Sequence, residues 1–261
     1  MKIFAVTNQK GGVGKTTTSV NLAAGLAALG QRVLLVDLDP QGNATMGSGV
    51  DKRNLGRNVY HMLLGLAQIE DVRAVTPSGF DILPANRDLA GAEIELVDLP
   101  RRDFRLKESL ESVVDHYDFV LLDCPPALNL LTVNALTAAH AVMIPMQCEY
   151  YALEGLSDLV STIKRIRQSL NPVLEIEGLL RTMFDPRNTL ANQVSAQLEQ
   201  HFGAKVYATI IPRNVRLAEA PSYGMPAMQY DRAAKGSQAY ESLAREVLAR
   251  AQVKRQEAVT A

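Results

Sequence analysis

Hydrophobic and polar residues form blocks along the chain, and these blocks predict strands that are separated by helices. Short runs that are apolar almost throughout indicate buried strands, and longer amphipathic runs indicate helices. The predicted strands are KIFAVTN, QRVLLVDLD, FDILPA, YDFVLLDCPP, AVMIPMQC, EIEGLLRTMF and KVYATIIP. The clearest predicted helices are KTTTSVNLAAGLAALG, ALEGLSDLVSTIKRIRQSL and GSQAYESLAREVLARAQVKRQE. This alternation predicts an α/β fold with a mostly parallel, twisted sheet and helices on both faces.

One domain that spans residues 1–261 accommodates this pattern, because the sequence has no repeat, low-complexity segment or linker. The stretch from Gln41 to Arg57 is rich in Gly, Asn and Ser, and it predicts an irregular loop. A glycine-rich loop begins already at Asn8, so we expect no helix-turn-helix domain before it. Right-handed crossovers in such sheets place ligands at the carboxyl ends of the strands.

Composition narrows the classes of protein that the chain can belong to. Apolar residues make up 47% and charged residues 21%, which is typical of a globular protein. The net charge is -1, so any site for nucleic acid must be a local basic patch. Cys124 and Cys148 lie far apart in apolar runs and are predicted to be reduced core residues, and the four histidines lack zinc-ligand spacing. No stretch resembles a signal peptide or a membrane helix, so we expect a soluble, cytoplasmic protein without a membrane partner.

The stretch NQKGGVGKTTT has the composition of a phosphate-binding loop between a strand and a helix. Its glycines, Gly11, Gly12 and Gly14, allow the backbone to curl so that N–H groups point toward an anion. Lys15 supplies a positive charge for the β- and γ-phosphates, and the Thr16 hydroxyl is placed to bind Mg²⁺. The predicted ligands are therefore a nucleoside triphosphate and Mg²⁺.

The loop departs from the general pattern G-x-x-x-x-G-K-[ST], because Gln9 stands where the first glycine is expected. The alternative interpretation is a glycine-rich turn that binds no ligand. Gly-Lys-Thr at a strand–helix junction favours the phosphate loop over that alternative.

Carboxylates follow two of the predicted strands. Asp37 and Asp39 end QRVLLVDLD, and Asp123 follows FVLL. An aspartate at the carboxyl end of a strand can support Mg²⁺, usually through water, and one of the first two could orient a water for attack on the γ-phosphate. The alternative is that these aspartates cap the turns that follow them.

Together these motifs resemble the chromosomal ParA (Soj) branch of the ParA/MinD group, the deviant Walker A P-loop ATPases. The resemblance rests on KGGVGKTT, DLDPQGNAT, DCPPALNLLTVNAL, CEYYALEGL and IPRNVRLAEAPSYG, which appear in the family's order from Lys2 to about Ala249. It implies that residues Lys10, Gly11, Gly12, Val13, Gly14, Lys15, Thr16 and Thr17 bind the triphosphate.

Further roles follow from the same resemblance. Lys10 is identified as the signature lysine, which reaches the phosphates of a second subunit in an ATP-bound sandwich dimer; from spacing alone it would be a solvated surface lysine. Thr16 binds Mg²⁺ and Asp123 supports it through water. Asp39 positions the hydrolytic water, so Lys10, Lys15 and Asp39 form the catalytic set. Pro212, Arg213 and Asn214 lie near the adenine.

The resemblance also implies partners, namely a ParB-like (Spo0J-like) protein that stimulates hydrolysis and double-stranded DNA that is bound without sequence preference at the nucleoid. Arg187 and Arg216 are the best candidates for contacts to DNA phosphates. The basic runs KRIR and RAQVKR are weaker candidates, because a charged run on a helix usually forms a solvated face.

Three other classes of protein with related loops remain as alternatives. A MinD-like membrane-surface regulator needs a strongly apolar C-terminal amphipathic helix, and RAQVKRQEAVTA offers only Val and Ala. An electron-transfer ATPase like the nitrogenase iron protein needs cluster-binding cysteines, and Cys124 has no suitable companion. A ParA-like ATPase that positions a protein cargo would use the same residues, and the sequence leaves it open.

Overall fold

The computed structural model of the chain contains one seven-stranded sheet. It describes residues 1–253 in full and the backbone of residues 254–260. The strands are β1 Lys2–Val6, β2 Val33–Asp37, β3 Ala74–Val75, β4 Asp81–Leu83, β5 Phe119–Asp123, β6 Ala141–Met146 and β7 Glu175–Arg181. Their order across the sheet is β3-β4-β2-β5-β1-β6-β7. Each pair of neighbours is parallel except β3 with β4, so the predicted mostly parallel sheet is confirmed.

Helices connect the strands. They are α1 Lys15–Ala28, α2 Asn43–Gly47, α3 Val59–Leu63, α4 Ile69–Val72, α5 Leu89–Glu95, α6 Arg105–Glu111, α7 Leu130–Ala138, α8 Ala152–Ser169, α9 Thr189–Phe202, α10 Val215–Glu219, α11 Ala227–Tyr230 and α12 Lys235–Thr260. Short 3₁₀ turns occupy Lys52–Asn54, Leu96–Asp98, Arg102–Phe104, Gly203–Lys205 and Ala220–Tyr223.

Both faces of the sheet are covered by helices, as predicted. In β1, Ile3 and Ala5 pack into the core on one face, and Phe4 and Val6 pack into the core on the other. Helices α7 and α8 contribute to the first core, and α1 and α12 contribute to the second. Since successive strand residues point to opposite faces, a strand between two cores must be apolar at every position, which explains the unbroken apolar runs.

The prediction that KVYATIIP forms a strand is wrong. This segment forms backbone hydrogen bonds to β7 at Leu179 and Arg181, but it makes isolated bridges and no continuous ladder. Between those two bonds, the N–H groups of Ala208 and Thr209 donate to the carboxylate of Glu246 on α12, both at 2.9 Å. The Glu246 side chain on α12 therefore accepts hydrogen bonds from backbone N–H groups that a continuous strand would use to pair with β7.

Two other local expectations also change. The predicted loop from Gln41 to Arg57 contains the short helix α2 and the 3₁₀ turn Lys52–Asn54. The edge strand β3 is two residues long and pairs antiparallel with β4, and its short apolar signal was not recognised in the sequence.

Candidate functional site

The glycine-rich loop joins β1 to the start of α1 at the carboxyl edge of the sheet. Gly12 has φ +73° and Gly14 has φ +86°, a left-handed conformation that L side chains rarely adopt. A Cβ at Gly12 would meet no heavy atom within 4 Å, so the backbone conformation, rather than lack of space, favours glycine there. No side chain caps α1, and its first N–H groups stay available to an anion.

Side chains from two other loops fasten this backbone. The Gln147 side chain, just after β6, donates to the Gly12 carbonyl at 3.1 Å. The Thr182 hydroxyl, just after β7, donates to the Val13 carbonyl at 2.8 Å. Neither residue was singled out in the sequence, because the predicted strands AVMIPMQC and EIEGLLRTMF include them. In the structure both directly follow the ends of β6 and β7, where ligand-binding residues collect.

Lys15 is the first residue of α1, and its side chain lies inside the loop. The residue is 7% exposed, and its ammonium donates to the Lys10 carbonyl at 3.2 Å. Burial lowers the pKa of Lys15, and the nearby Asp123 carboxylate opposes that shift. A buried cation with few oxygen partners is a strong attractor for a phosphate group, which would supply the missing negative charge.

Asp123 ends β5 and is held by two hydroxyls from α1. Thr16 Oγ1 donates to Asp123 Oδ2 at 2.8 Å, and Ser19 Oγ lies 2.8 Å from Asp123 Oδ1. Burial raises the pKa of Asp123, and the Asp37 carboxylate raises it further. Ser19 was missed in the sequence, although its position one helical turn after Thr16 places both hydroxyls on the same face of α1.

The oxygen atoms at this point fit a magnesium ion that also binds phosphate. Mg²⁺ takes oxygen ligands and usually keeps several waters, with one or two protein side chains. Thr16 and Asp123 supply a hydroxyl and a carboxylate at the mouth of the loop. Within the described residues, no group of three or more His, Cys, Asp or Glu side chains could hold a metal by itself.

Asp37 and Asp39 differ sharply in their surroundings, although they are two positions apart. Asp37 is fully buried, and its Oδ2 accepts hydrogen bonds from the Thr45 N–H at 2.8 Å and the Thr45 hydroxyl at 2.7 Å. Asp39 is half-buried, and its Oδ1 accepts the Gln41 N–H at 2.9 Å. Asp37 therefore holds α2 against β2, whereas Asp39 lies close enough to Lys15 and Asp123 to raise the pKa of both.

A cavity of about 330 Å³ lies beside the glycine-rich loop. Its walls include Gly14, Thr17, Thr182, Met183, Ile211, Pro212, Arg213, Asn214, Val215, Leu217, Ala218 and Tyr240. The predicted adenine segment, Pro212–Asn214, thus meets the predicted phosphate loop across one cavity. Tyr240 closes it from α12, and its hydroxyl lies 3.0 Å from Thr18 Oγ1 on α1. A ligand pocket of this size accommodates a planar base.

Lys10 lies at the outer edge of the loop and is half-exposed. Its ammonium forms an ion pair with the Glu149 carboxylate, which follows β6. Its backbone N–H donates to the Asn8 side chain at 3.0 Å. Lys10 therefore points away from the Lys15 pocket in this structure, toward the surface beside the site.

Arg187 and Arg216 both lie in loops or helix starts at the carboxyl edge, and each is paired with an acid of its own chain. Arg187 is 88% exposed at its side chain and contacts Asp185 at 2.7 Å. Arg216 contacts Glu219 at 2.7 Å and Asp231 at 3.3 Å. Neither arginine is buried, so both can exchange these acids for another anion.

The segments that carry these two arginines run side by side. The Phe184 N–H donates to the Ile211 carbonyl at 3.0 Å, and Phe184 also bridges to Pro212. Of the weaker basic candidates, Lys164, Arg165 and Arg167 lie on the exposed face of α8. The run RAQVKR and the end of RAQVKRQEAVTA lie partly outside the residues whose side chains are described.

Cys124 and Cys148 are both free and buried, as predicted. They are 1% and 7% exposed, so neither is presented at a surface where a cluster could be bridged. Among the residues that the structure describes, no helix is both long and apolar enough to span a membrane.

Comparisons with known proteins cover nearly the whole chain. A family described as an AAA domain matches residues 1–176. The sporulation initiation inhibitor protein Soj of Bacillus subtilis is 55% identical over 249 residues, 95% of this chain and 98% of that protein. The chromosome partitioning protein ParA of Caulobacter vibrioides is 53% identical over 253 residues, 96% of this chain and 95% of that protein.

A solved structure with a bound nucleotide is also similar. Cobyrinic acid a,c-diamide synthase from Mycobacterium smegmatis, with a bound ATP analogue and magnesium, is 39% identical to this chain. It superposes with a TM-score of 0.84 and covers 95% of this chain and 94% of its own. A protein of the same fold has therefore been seen with an ATP analogue and magnesium.

Proposed function

The chain belongs to the ParA/Soj family of chromosome-partitioning ATPases, and from this premise we propose that it is an ATP-dependent switch that partitions DNA. It binds ATP with Mg²⁺, dimerises in that state, and then binds double-stranded DNA without sequence preference. Hydrolysis of the bound ATP, stimulated by a ParB-like partner, releases the protein from DNA. The observation that carries this proposal is the arrangement of Lys15, Thr16 and Asp123 at the uncapped start of α1.

ATP binding is supported by how the loop and the cavity meet. The N–H groups from Gly11 to Thr17 and the buried Lys15 ammonium bind the triphosphate, and the cavity beside Pro212–Asn214 receives the adenine. The Thr16 hydroxyl binds Mg²⁺, which supplies charge neutralisation between the phosphates, and Asp123 holds its water shell. The hydrogen bond from Thr16 to Asp123 fixes the orientation of that hydroxyl before any ligand arrives.

Hydrolysis depends on Asp39, which is only half-buried and lies near Lys15 and Asp123. A carboxylate can accept a hydrogen bond from a water and orient it toward the γ-phosphate. The Gln41 N–H fixes one Asp39 oxygen, so the side chain is positioned before substrate binds. Asp37 does not share this role, because its carboxylate is buried and occupied by Thr45.

Dimerisation depends on Lys10, which reaches the phosphates of a second copy. Two facing lysines repel each other unless an anion lies between them, so bound ATP favours the dimer. In the single chain, Glu149 neutralises Lys10. A half-exposed ion pair of this kind contributes about 0–1 kcal/mol, so it is readily replaced by a triphosphate.

DNA binding depends on Arg187 and Arg216 at the edge of the same face. A two-fold dimer presents each arginine twice, which compensates for the net charge of -1 on the single chain. Contacts to phosphates alone carry no sequence information, so the binding is non-specific. We also propose that residues 1–261 act as one domain and that the protein works in the cytoplasm at the nucleoid.

ATP turnover and sedimentation of the purified chain test this proposal together. Wild type should release phosphate and sediment as a dimer with ATP and Mg²⁺, and as a monomer with ADP. Thr16→Val removes the metal-binding hydroxyl and should stop phosphate release, whereas Ser161→Ala on the exposed face of α8 should behave like wild type. A Thr16→Val protein with wild-type turnover would contradict the site.

A further inference from the structure

Three neighbouring strands deliver exposed side chains to one surface. The sheet order places β5, β1 and β6 side by side, and all three are parallel, so their following loops emerge at the same edge. These loops carry Leu128, Lys10 and the pair Tyr150–Tyr151, in that order across the sheet. The surface is therefore continuous with the phosphate loop.

Tyr150 and Tyr151 are exposed although aromatic side chains usually lie inside a protein. They are 74% and 70% exposed, and their rings pack edge to face with centroids 5.0 Å apart and planes at 89°. No hydrogen bond of either tyrosine hydroxyl occurs within the described part of the chain. An exposed aromatic pair with free hydroxyls is typical of a protein–protein contact surface.

The tyrosines follow directly on residues that touch the phosphate loop. Glu149 pairs with Lys10, and Gln147 donates to the Gly12 carbonyl at 3.1 Å. Two side chains therefore connect the phosphate loop to the segment that carries the tyrosine pair. This coupling links the surface to the nucleotide site rather than to a distant function.

Charge at this surface is complementary to itself. In a two-fold interface, residue i of one copy meets residue j of the other, and j meets i. Lys10 and Glu149 lie next to each other and have opposite charge, and a bound triphosphate between the two copies would remove the repulsion of the facing Lys10 ammoniums. A second copy of the same chain therefore fits this surface electrostatically.

We propose that Tyr150 and Tyr151 are the apolar anchor on which a second copy of this chain packs in the ATP-bound state. The pair offers roughly 200–350 Å² of exposed aromatic surface in each copy, since each such side chain can bury about 150–250 Å². A standard interface buries about 800 Å² per partner, so the pair supplies a large share of its core. The inference rests on the proposed function, because it requires an ATP-dependent dimer.

Sedimentation velocity with a non-hydrolysable ATP analogue and Mg²⁺ tests the anchor. The double substitution Tyr150→Ala/Tyr151→Ala should raise the dimer dissociation constant at least about tenfold, as expected for aromatic residues that dominate an interface. Tyr223→Ala is the matched control, because Tyr223 is 63% exposed and lies outside these three loops. It should change the constant by less than about twofold. Fluorescent-ATP affinity and thermal unfolding should match wild type in both variants.

Cross-linking measures proximity in the assembled protein. The native cysteines are buried, so Tyr150→Cys introduces an accessible thiol with little background. A short bismaleimide should join two copies of this variant with the ATP analogue and not with ADP. Tyr223→Cys should give no ATP-dependent product.

The outcomes separate the inference from the proposed function. If wild type dimerises and the double alanine variant dimerises equally well, the anchor is wrong and the proposed function stands. Cross-linking of Tyr150→Cys that ignores the nucleotide would likewise overturn the anchor. If wild type stays monomeric with ATP and Mg²⁺, both the proposed dimer and the Tyr150–Tyr151 anchor are wrong.

Discussion

The site has an inner cluster and an outer rim, and their side chains are held in different ways. The inner cluster is Lys15, Thr16, Ser19 and Asp123, at the start of α1 and the end of β5. Hydrogen bonds join Asp123 to Thr16 and Ser19, and Ser19 to the Lys15 carbonyl, and Lys15, Ser19 and Asp123 are buried. The rim cations are Lys10, Arg187 and Arg216, which are substantially exposed and pair with acids of their own chain.

This difference indicates that a single chain forms the inner cluster by itself, whereas the rim cations still have anions to bind from outside the chain. The inner cluster is preorganised, so a ligand finds its partners already oriented. The rim cations are neutralised by surface acids at a cost of about 0–1 kcal/mol per pair to separate. They are poised to exchange an acid for a phosphate that comes from outside the chain. The inner cluster should thus control binding of the nucleotide, and the rim should control assembly and DNA.

Lys15→Ala should have the largest effect, because it removes the buried cation of the inner cluster. We expect the affinity for ATP to fall at least about 100-fold, given the strength of charge-assisted hydrogen bonds in a buried site. Titration with a fluorescent ATP analogue measures it. Lys164→Ala, on the exposed face of α8, is the control and should bind normally. If the Lys15→Ala variant binds the ATP analogue within threefold of wild type, the assignment of Lys15 to the triphosphate site is wrong.

Asp39→Ala should separate binding from hydrolysis. We expect ATP affinity within about threefold of wild type and turnover lowered about 10²–10⁴-fold, the usual contribution of a group that orients a reacting water. The variant should accumulate as an ATP-bound dimer in gel filtration with Mg²⁺. Continued turnover, or a monomer under these conditions, would contradict the role of Asp39.

Arg216→Glu tests the rim with the inner cluster intact. Each copy loses one attraction for DNA and gains one repulsion, so we expect DNA affinity to fall at least about 50-fold while ATP-dependent dimerisation is unchanged. Arg232→Glu is the matched control, because Arg232 is 82% exposed and also pairs with an acid, Glu241. Equal losses in both variants would show that net charge, rather than the Arg216 position, controls DNA binding.

Lys10→Ala should bind ATP but weaken the dimer at least about tenfold, since the phosphates lose a cation from the opposite copy. Glu149→Gln should change the dimer affinity by less than about threefold, because a half-exposed ion pair contributes little. Sedimentation equilibrium with the ATP analogue compares the two. Failure of Glu149→Gln to dimerise would show that the Glu149 carboxylate, and not Lys10 alone, stabilises the dimer.

Thr45→Val should have the smallest effect on function and a measurable one on stability. It removes a hydroxyl that donates to the buried Asp37 and accepts the Ala85 N–H at 2.9 Å, and the loss of both bonds should cost about 1–3 kcal/mol. Burial already raises the pKa of Asp37, and loss of a donor raises it further.

The expected pH dependence of Thr45→Val follows from that shift. Above the unfolded pKa of about 3.9, the folded variant then binds more protons than the unfolded chain, so its stability falls as pH rises. Thermal melts at pH 5 and pH 8 should show the larger deficit at pH 8. A deficit that is equal at both pH values would exclude Asp37 as its source.

Features that depend on local pattern were predictable from the sequence. Every sheet strand except the two-residue β3 follows from a mainly apolar run, and the loop from Gly11 to Lys15 follows from its spacing between a strand and a helix. Features that depend on distant contacts were not. Glu246 on α12 accepts hydrogen bonds from the backbone of KVYATIIP. Tyr240 lines the cavity beside Thr18, from which it is 222 positions away in the sequence.

The same limit applies within the site. The resemblance identified Lys10 and Asp39 by their positions in the sequence. The ion pair between Lys10 and Glu149 and the different surroundings of Asp37 and Asp39 depend on contacts that only the folded structure shows. Ser19 could have been found from its spacing, because it lies three positions after Thr16 on one helical face.

Binding to a random-sequence DNA duplex, titrated with salt, tests the link between the inner cluster and the rim most directly. Wild type should bind tightly with a non-hydrolysable ATP analogue and Mg²⁺, at least about tenfold more weakly with ADP, and equally to duplexes of different sequence. Its log–log salt slope should be about -0.9 for each phosphate neutralised, so a dimer that uses two arginines per copy should give about -3.6. Equal binding with the ATP analogue and ADP, with the same slope, would contradict a switch in which nucleotide assembles the DNA surface.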